Sequence, residues 1–500
     1  MYDVTIIGSG IGGLLCATFL AKEGMKVCVI EKNKQLGGNL QTFSRDKQLF
    51  DTGVHYLGGL NKGQNLHQIF KYAGLIPRLN LKKMDDGFDK ILLQNDETVY
   101  TQAQGYEAFQ QNLIKDFPEE TVAIEKYCEL IHQACSAFPL YHLTLEGNGE
   151  EKLKYTAKSA RKVIESLTSN KKLQAVLSGN NLLYAGVAGK TPFHIHALII
   201  NSYIESSWKC VDGGSQIVKI LVAKIRQLGG EMIRNKTVAR IVEKGGFVTH
   251  VDLDDGSSIQ SKFFISNVNP AATLQMVDSP FIKKNYRNRI QSLQNTVSSF
   301  SLYIVLKEKT IPYQNCNYYY HKEGNVWSAD DYNADEWPLA YGLYFTEDKK
   351  HSGFASAISV LTLMKFVDVS KWSETIHTTR FEHSRGEKYE TFKLERSEKL
   401  LTLVYERFPE LQGNIRSHYA ATPLTNRDYI GMSDGSIYGI QKDFNDPLKS
   451  TISPRTKISN LFLTGQNINL HGILGTSLSA ILTCTMLLDS NNLVDKIRNA

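Results

Sequence analysis

No two cysteines in this chain of 500 residues stand as a C-x-x-C pair. The seven present, at 16, 28, 128, 135, 210, 316 and 484, are scattered and odd in number. That argues against a thiolate zinc site and against a disulfide framework, and makes a reducing, cytoplasmic compartment the simple expectation. Proline is scarce, 12 in all, so the loops are not proline-stiffened. Charge of one sign is not in excess either. Lys+Arg 57 against Asp+Glu 51 leaves +6, too thin a surplus to point to a nucleic-acid partner. Hydrophobic residues at 42% and charged residues at 22% exclude a disordered, fibrous or polytopic membrane chain.

Two further absences sit at the ends. No basic leader precedes Tyr2-Asp-Val-Thr-Ile-Ile7, which reads as a buried strand rather than a signal peptide. From Ile458 to Leu488, 31 residues contain no Asp, Glu, Lys or Arg. The 17 residues from Gly472 lie at the bottom of the spanning range of about 17–25. Thr476, Ala480, Thr483 and Cys484 are small, while Leu474, Leu478, Ile481, Leu482 and Met486 are bulky. This predicts a buried helix with one close-approach face, a membrane anchor being the alternative.

Residues 1–31 read as strand, tight turn, helix, strand. The turn Gly8-Ser9-Gly10-Ile11-Gly12-Gly13 satisfies G-x-G-x-x-G with glycines 8, 10 and 13. Gly8 permits the turn, Gly10 lets a pyrophosphate approach the backbone, and Gly13 lets the helix pack closely on the sheet. A helix over about 12–23 then points its amino end at the diphosphate. Glu31, eighteen residues past Gly13, closes the second strand where an acid can accept from ribose hydroxyls. Lys32 follows it, and a second pair, Gly37-Gly38, precedes Asn39. Next comes Phe50-Asp51-Thr52-Gly53-Val54-His55-Tyr56-Leu57-Gly58.

On these motifs the chain resembles the amine-oxidase-like flavoprotein superfamily. More narrowly, it is similar to the carotenoid isomerase, phytoene desaturase and retinol saturase group. The resemblance extends along nearly the whole chain. It takes in Lys209-Cys-Val-Asp-Gly213-Gly214, the segment Gly229–Ile241 with Val238, Phe264-Ile-Ser-Asn267, and Thr422–Gly431 with Gly435–Gly439 as a late substrate-side motif. It closes on Leu461-Phe-Leu-Thr-Gly465-Gln466-Asn467 through His471-Gly472 and Gly475. It implies an α/β fold, with a Rossmann-type FAD-binding domain of residues 1–80, 210–280 and 450–500. A mixed substrate domain of 85–205 and 285–445 would accompany it. FAD would then be held by Gly8, Gly10, Gly12, Gly13, Glu31 and Lys32, by Gly37, Gly38, Asn39, Gly53 and His55, by Val238 through its backbone, and by Gly465, Gln466, Gly472 and Gly475. Two departures, Asn39 where desaturases commonly carry arginine and Gln466-Asn467 where many members carry an acid, favour the retinol saturase and isomerase branch.

The implied activity is redox chemistry at a carbon–carbon double bond of an apolar polyene or isoprenoid, with cis–trans isomerisation, desaturation or a non-redox prenyl-protein carrier as alternatives. Saturation needs a proton beside the hydride, so His55, Tyr56 and His471 are candidate acids and His55 and His471 the catalytic choices. No second G-x-G-x-x-G appears for a nicotinamide, which leaves the electron donor unidentified. His194 and His196 resemble a metal pair at strand spacing, but no acid or cysteine set accompanies them and no metal is expected.

The rest reads more coarsely. Helix is expected in 106–135, 160–178 and 216–228. Phe247–Leu253 should be a hairpin arm with its turn at Asp254-Asp-Gly256-Ser, and strands are expected at Ser299–Leu306, Asn317–Tyr320 and Ala340–Phe345. Between Glu151 and Lys172 seven lysines and arginines face two glutamates, with Tyr155, Val163, Ile164 and Leu167 interleaved. A solvated helix face is the default; a helix lying on an anionic membrane is the functional alternative, making peripheral membrane contact an open partner. The aromatic runs Tyr318–Tyr320 and Tyr341–Phe345 are read as core and strand propensity.

Overall fold

Tyr2–Ile7 is a strand because its β-branched run has a parallel neighbour on each side. Val4 pairs with Val27 of strand Val27–Glu31 and with Phe263 of strand Ser258–Ser266. A strand buried on both faces needs such a continuous apolar run. The computed structural model describes residues 1–322, 326–381 and 383–500. In this first sheet the order runs Glu231–Arg234, Val27–Glu31, Tyr2–Ile7, Ser258–Ser266, Phe247–Leu253, Val238–Lys244, with Leu461–Leu463 pairing alongside Ser258–Ser266. Polypeptide from the beginning, middle and end of the chain thus meets in one sheet. The expected hairpin Phe247–Leu253/Ser258–Ser266 is present, its turn using Gly256 at φ +83°.

Helix Ile11–Lys22 is buried along all but its last residue. Part of what covers it is helix Gly472–Leu488, the charge-free C-terminal segment. Its small residues make the close approach. A Cβ at Gly12 would lie 3.0 Å from Thr476 Cγ2 and 3.2 Å from the Gly465 Cα. Cys16 Sγ sits 3.8 Å from the Ala480 carbonyl, and Thr483 Oγ1 donates to the Leu463 carbonyl at 2.9 Å. Among the described residues no helix is long and apolar enough to cross a membrane.

The second sheet runs Ile415–Ala421, Ser298–Leu306, Ala355–Met364, Ala340–Glu347, Asn317–His321, Asp89–Leu93, Tyr100–Gln102. Strand alternation sorts its tyrosines. Tyr318, Tyr320 and Tyr341 face a core shared with helix Glu387–Tyr405. Tyr319, Tyr344 and Ile91 face the other way, into the core that holds helix Ile11–Lys22. Helix 106–135 is divided at Pro118 into Tyr106–Asp116 and Thr121–Ser136, since proline cannot donate within a helix. Region 160–178 likewise divides into Ala160–Leu167 and Lys171–Leu177, the second capped by Asn170.

The lysine-rich segment is three short helices rather than one, Gly149–Thr156 preceding the two just named. Tyr155 and Ile164 are buried and Val163 and Leu167 pack on the same core, so those apolar residues are turned inward. His194 and His196 lie in helix Phe193–Glu205, not a strand. There residues two apart point to opposite sides, so they do not form a pair on one face. His196 is held between the hydroxyls of Tyr127 and Tyr184, each 2.8 Å away.

Candidate functional site

The sheet's carboxyl edge opens into a cleft of about 660 Å³. Its first end is made of glycine. Gly8 takes φ +94°, in the left-handed region that favours glycine. Gly8, Gly10, Gly12, Gly37 and Gly38 line the cleft, whereas Gly13 packs inward, where a Cβ would lie 2.2 Å from the Gly8 carbonyl. That is the helix–strand contact the spacing requires. A Cβ at Gly38 would lie 3.3 Å from the Gly10 Cα, so the two glycine pairs close on one another. Gly10, the residue preceding helix Ile11–Lys22, offers no side chain to cap the first-turn N–H groups, which leaves them for an anion.

Glu31 ends its strand buried against this loop. Its carboxylate accepts from the Ser9 amide at 3.0 Å, the Ser9 hydroxyl at 2.7 Å and the Asn33 amide at 2.9 Å. It lines the cleft as well, so one side chain both fixes the glycine turn and faces the space where a ribose would lie. Lys32 lines the cleft beside it and donates to the Asp428 carbonyl at 3.1 Å, its ammonium pKa lowered by burial. Asn33 Nδ2 reaches the Tyr429 carbonyl at 3.0 Å. The end of helix Pro423–Ile430 therefore covers the ribose-acid side, although the resemblance places the Thr422–Gly431 motif on the substrate side. Val238 lines the same end.

A cleft residue absent from the sequence-based site set is Asn267. Cβ atoms at Gly10, Gly12 and Gly465 would lie 2.9, 2.7 and 2.6 Å from its amide. Glycines far apart in the chain thus make room for one side chain, which also lines the cleft. Gly465 itself lies behind Asn267, at φ +101°, outside the lining. The signal was present in Phe264-Ile-Ser-Asn267, but only the fold brings that segment against both glycine motifs.

Asn39, Gly53, Gln466, Gly472 and Gly475 continue the lining toward the second end. There helix Gly472–Leu488 begins, with no side-chain cap on its first turn, so a second amino end faces the cleft. This end is apolar and aromatic, with Leu183, Ile199, Tyr203, Tyr344, Leu361 and Tyr438 on its walls. His55 stacks on Tyr344 with centroids 4.0 Å apart and planes 8° from parallel. His471 Nε2 donates to the Leu183 carbonyl at 3.2 Å, and its ring leans on Tyr438. Both imidazoles line the cleft, and both are pushed down to about 4, by burial first, then by Lys209 for His55 and Lys442 for His471. The expectation of a protonated histidine near pH 7 rests on a free-solution pKa of about 6.5. In this cleft both rings are neutral at that pH.

Behind the aromatic wall lies a polar group that no sequence motif marks. Asp89 is fully buried and accepts from Tyr56 Oη at 2.8 Å and Asn317 Nδ2 at 2.9 Å. Burial raises its carboxyl to about 7 against the lowering by those donors. Asp51 is likewise raised to about 7 by burial while accepting from the Gly214 amide at 2.6 Å, which ties the Phe50–Gly58 segment to the helix after Gly213-Gly214.

These residues fit a dinucleotide: a cradle of glycines, an acid at the ribose position and two uncapped helix starts. The comparisons agree. A family described as NAD(P)-binding Rossmann-like domain matches residues 6–73. All-trans-retinol 13,14-reductase of Rattus norvegicus is 27% identical over 98% of this chain and 86% of its own length. Prolycopene isomerase of Daucus carota is 24% identical over 96% of this chain and 79% of its own. Among solved structures, cyclohexylamine oxidase of Brevibacterium oxydans superposes with a TM-score of 0.63 at 13% identity, covering 100% of this chain and 99% of that one. The chain has the fold of the amine-oxidase-like flavoproteins, and over nearly its whole length it is similar to all-trans-retinol 13,14-reductases and prolycopene isomerases.

Proposed function

We propose that the chain is an FAD-dependent oxidoreductase that reduces a carbon–carbon double bond in an apolar polyene or isoprenoid. One observation carries this reading: a single cleft has a glycine-and-acid end suited to a dinucleotide and an aromatic, apolar end suited to a polyene. The relatives named for retinol reduction support it. Bound FAD would supply the hydride chemistry. The protein's own residues do the rest. Gly10, Gly12, Gly37 and Gly38 admit the diphosphate, Glu31 accepts from the ribose, and Val238 borders the adenine. Gln466 and the start of helix Gly472–Leu488 would face the ring system and favour negative charge there. His55 and Tyr344 form one wall against which an apolar chain is held away from water. The first sheet would form the FAD domain and the second the larger part of the substrate domain.

The isomerase reading shares every one of these contacts and is favoured by the likeness to prolycopene isomerases. Product mass separates the two. Purified protein is reduced without oxygen, mixed with all-trans-retinol and a carotenoid panel, and the products are weighed by mass spectrometry. Reduction adds two hydrogens to one of the substrates. Unchanged mass with altered retention replaces reductase by isomerase, two hydrogens lost marks a desaturase, and no turnover removes the polyene assignment. A colourless preparation would point to a carrier.

A further inference from the structure

Strand alternation places Asp89, Asn317, Tyr319 and Tyr344 on one face of the second sheet. Asn317 sits between Asp89 and Tyr344 in register, and Tyr319 opposite Gly342. Tyr56 reaches this face from the loop after Gly53. The hydroxyls connect. Tyr56 Oη donates to Asp89 Oδ2 at 2.8 Å, Tyr56 and Tyr319 hydroxyls are 2.8 Å apart, and Tyr344 Oη donates to Tyr319 Oη at 3.4 Å. Tyr344 borders the cleft, while Asp89 and Tyr319 are fully buried. Gly342 makes the geometry possible: a Cβ there would lie 2.5 Å from Tyr344 Oη. The last link is the longest, so the Tyr344 hydroxyl is the one least tied to the carboxylate.

We infer that Asp89, Tyr56, Tyr319 and Tyr344 form a proton relay that delivers the proton of double-bond reduction to the aromatic end of the cleft. The inference rests on the reductase reading above. With Asp89 ionised, every hydroxyl points toward the carboxylate and Tyr344 has no proton aimed outward. With Asp89 protonated, the chain reverses, Asp89 donating to Tyr56, Tyr56 to Tyr319 and Tyr319 to Tyr344, whose O–H is released into the cleft. In the reduction the carbon–carbon π bond breaks and two C–H bonds form. One carbon would take a hydride that bound reduced flavin would supply, an external two-electron donor restoring the flavin. The other takes the Tyr344 proton. Tyr344 is refilled from Tyr319, Tyr319 from Tyr56 and Tyr56 from Asp89, which is left ionised and is reprotonated between turnovers by the same route, from water in the open cleft through Tyr344. His55 is a positioning residue, its ring holding the Tyr344 phenol in place.

The charged and titratable groups around Asp89 are known. Lys209 on strand Ser207–Cys210 favours the carboxylate and is itself lowered to about 8 by burial. Among the described residues Tyr203 on helix Phe193–Glu205, Tyr56, Tyr319 and Tyr344 also face it, and Asn180 and Asn317 contribute neutral donors. Asp89 is raised to about 7, so protonated and ionised chains coexist near neutrality.

Two readouts test the relay. Infrared difference spectra of the purified protein, taken across pH without turnover, should show two buried protonated carboxyls that titrate near 7, Asp51 and Asp89, of which Asp89→Asn removes one. The Asp89 band should shift in Tyr319→Phe, which keeps the ring and removes only the middle hydroxyl. In anaerobic single turnovers, the wild-type rate should fall as pH rises through about 7. Tyr319→Phe should be slowed 10-fold or more with polyene binding unchanged, in line with the roughly 10²–10⁴-fold range of acid catalysis. No carboxyl band lost in Asp89→Asn, or a Tyr319→Phe rate equal to wild type in a protein that reduces polyenes, overturns the relay. Should wild type reduce no polyene while the carboxyl and its coupling to Tyr319 are seen, the reductase reading fails and the hydrogen-bonded chain stands as a structural network only, which also overturns its role in reduction.

Discussion

The two ends of one cleft are built in opposite ways. The glycine end is local: most of its work is done within residues 8–39, where a strand, a turn and a helix follow one another and the missing side chains are the working parts. The tyrosine end is assembled from strands of the second sheet, a loop and a helix, and its working parts are hydroxyls behind the wall. The lesson is that a site made of absences is written in spacing, whereas a site made of a buried polar chain is written in sheet register.

Breaking the glycine end should have the larger effect. Gly13→Val puts a side chain where the Gly8 carbonyl stands 2.2 Å away. The expected result is protein that is insoluble or free of visible flavin absorbance. Glu31→Gln keeps the shape, but its amide has only one oxygen to offer the Ser9 and Asn33 donors, which leaves a donor unpaired at a cost of about 1–3 kcal/mol, and a titration should show cofactor affinity down roughly 10- to 100-fold.

At the tyrosine end the effects are smaller and more selective. Gly342→Ala should displace the Tyr344 phenol and lower stability by about 1–3 kcal/mol in a denaturant melt while flavin stays bound. Asp89→Asn should change the pH dependence of stability. A carboxyl held at about 7 in the fold, against about 3.9 unfolded, keeps a proton that the unfolded chain has already released. Wild type should therefore lose stability relative to Asp89→Asn as pH rises from about 4 to about 7, and melts at a series of pH values will read this slope. Least of all, His55→Phe preserves a ring against Tyr344, and its reduction rate should stay within a few-fold of wild type. A far greater loss would make the imidazole itself the proton donor.

Strands Tyr2–Ile7 and Val27–Glu31 were legible because they are largely apolar runs on either side of the glycine turn and its helix, and Glu31 follows the fingerprint at a fixed distance. The helix Gly472–Leu488 was legible for the same reason, a long charge-free segment with a small-residue face. Asn267 was only half legible: its segment Phe264-Ile-Ser-Asn267 carries the resemblance, but its place in the cleft comes from glycines at 10, 12 and 465 converging on it. Nor was the sorting of Tyr318–Tyr320 legible. Adjacent tyrosines read alike in sequence, yet alternation sends Tyr319 to the cleft side and its neighbours to the opposite core. The histidines show the converse. Their type suggested an acid, but burial in the cleft removes the charge that role requires.

The account stands or falls on what occupies the cleft. Purified protein should be yellow, and acid release followed by chromatography and mass spectrometry should give FAD at about one equivalent per chain. Release of a nicotinamide dinucleotide instead, or of no dinucleotide from folded protein supplied with FAD, would contradict it.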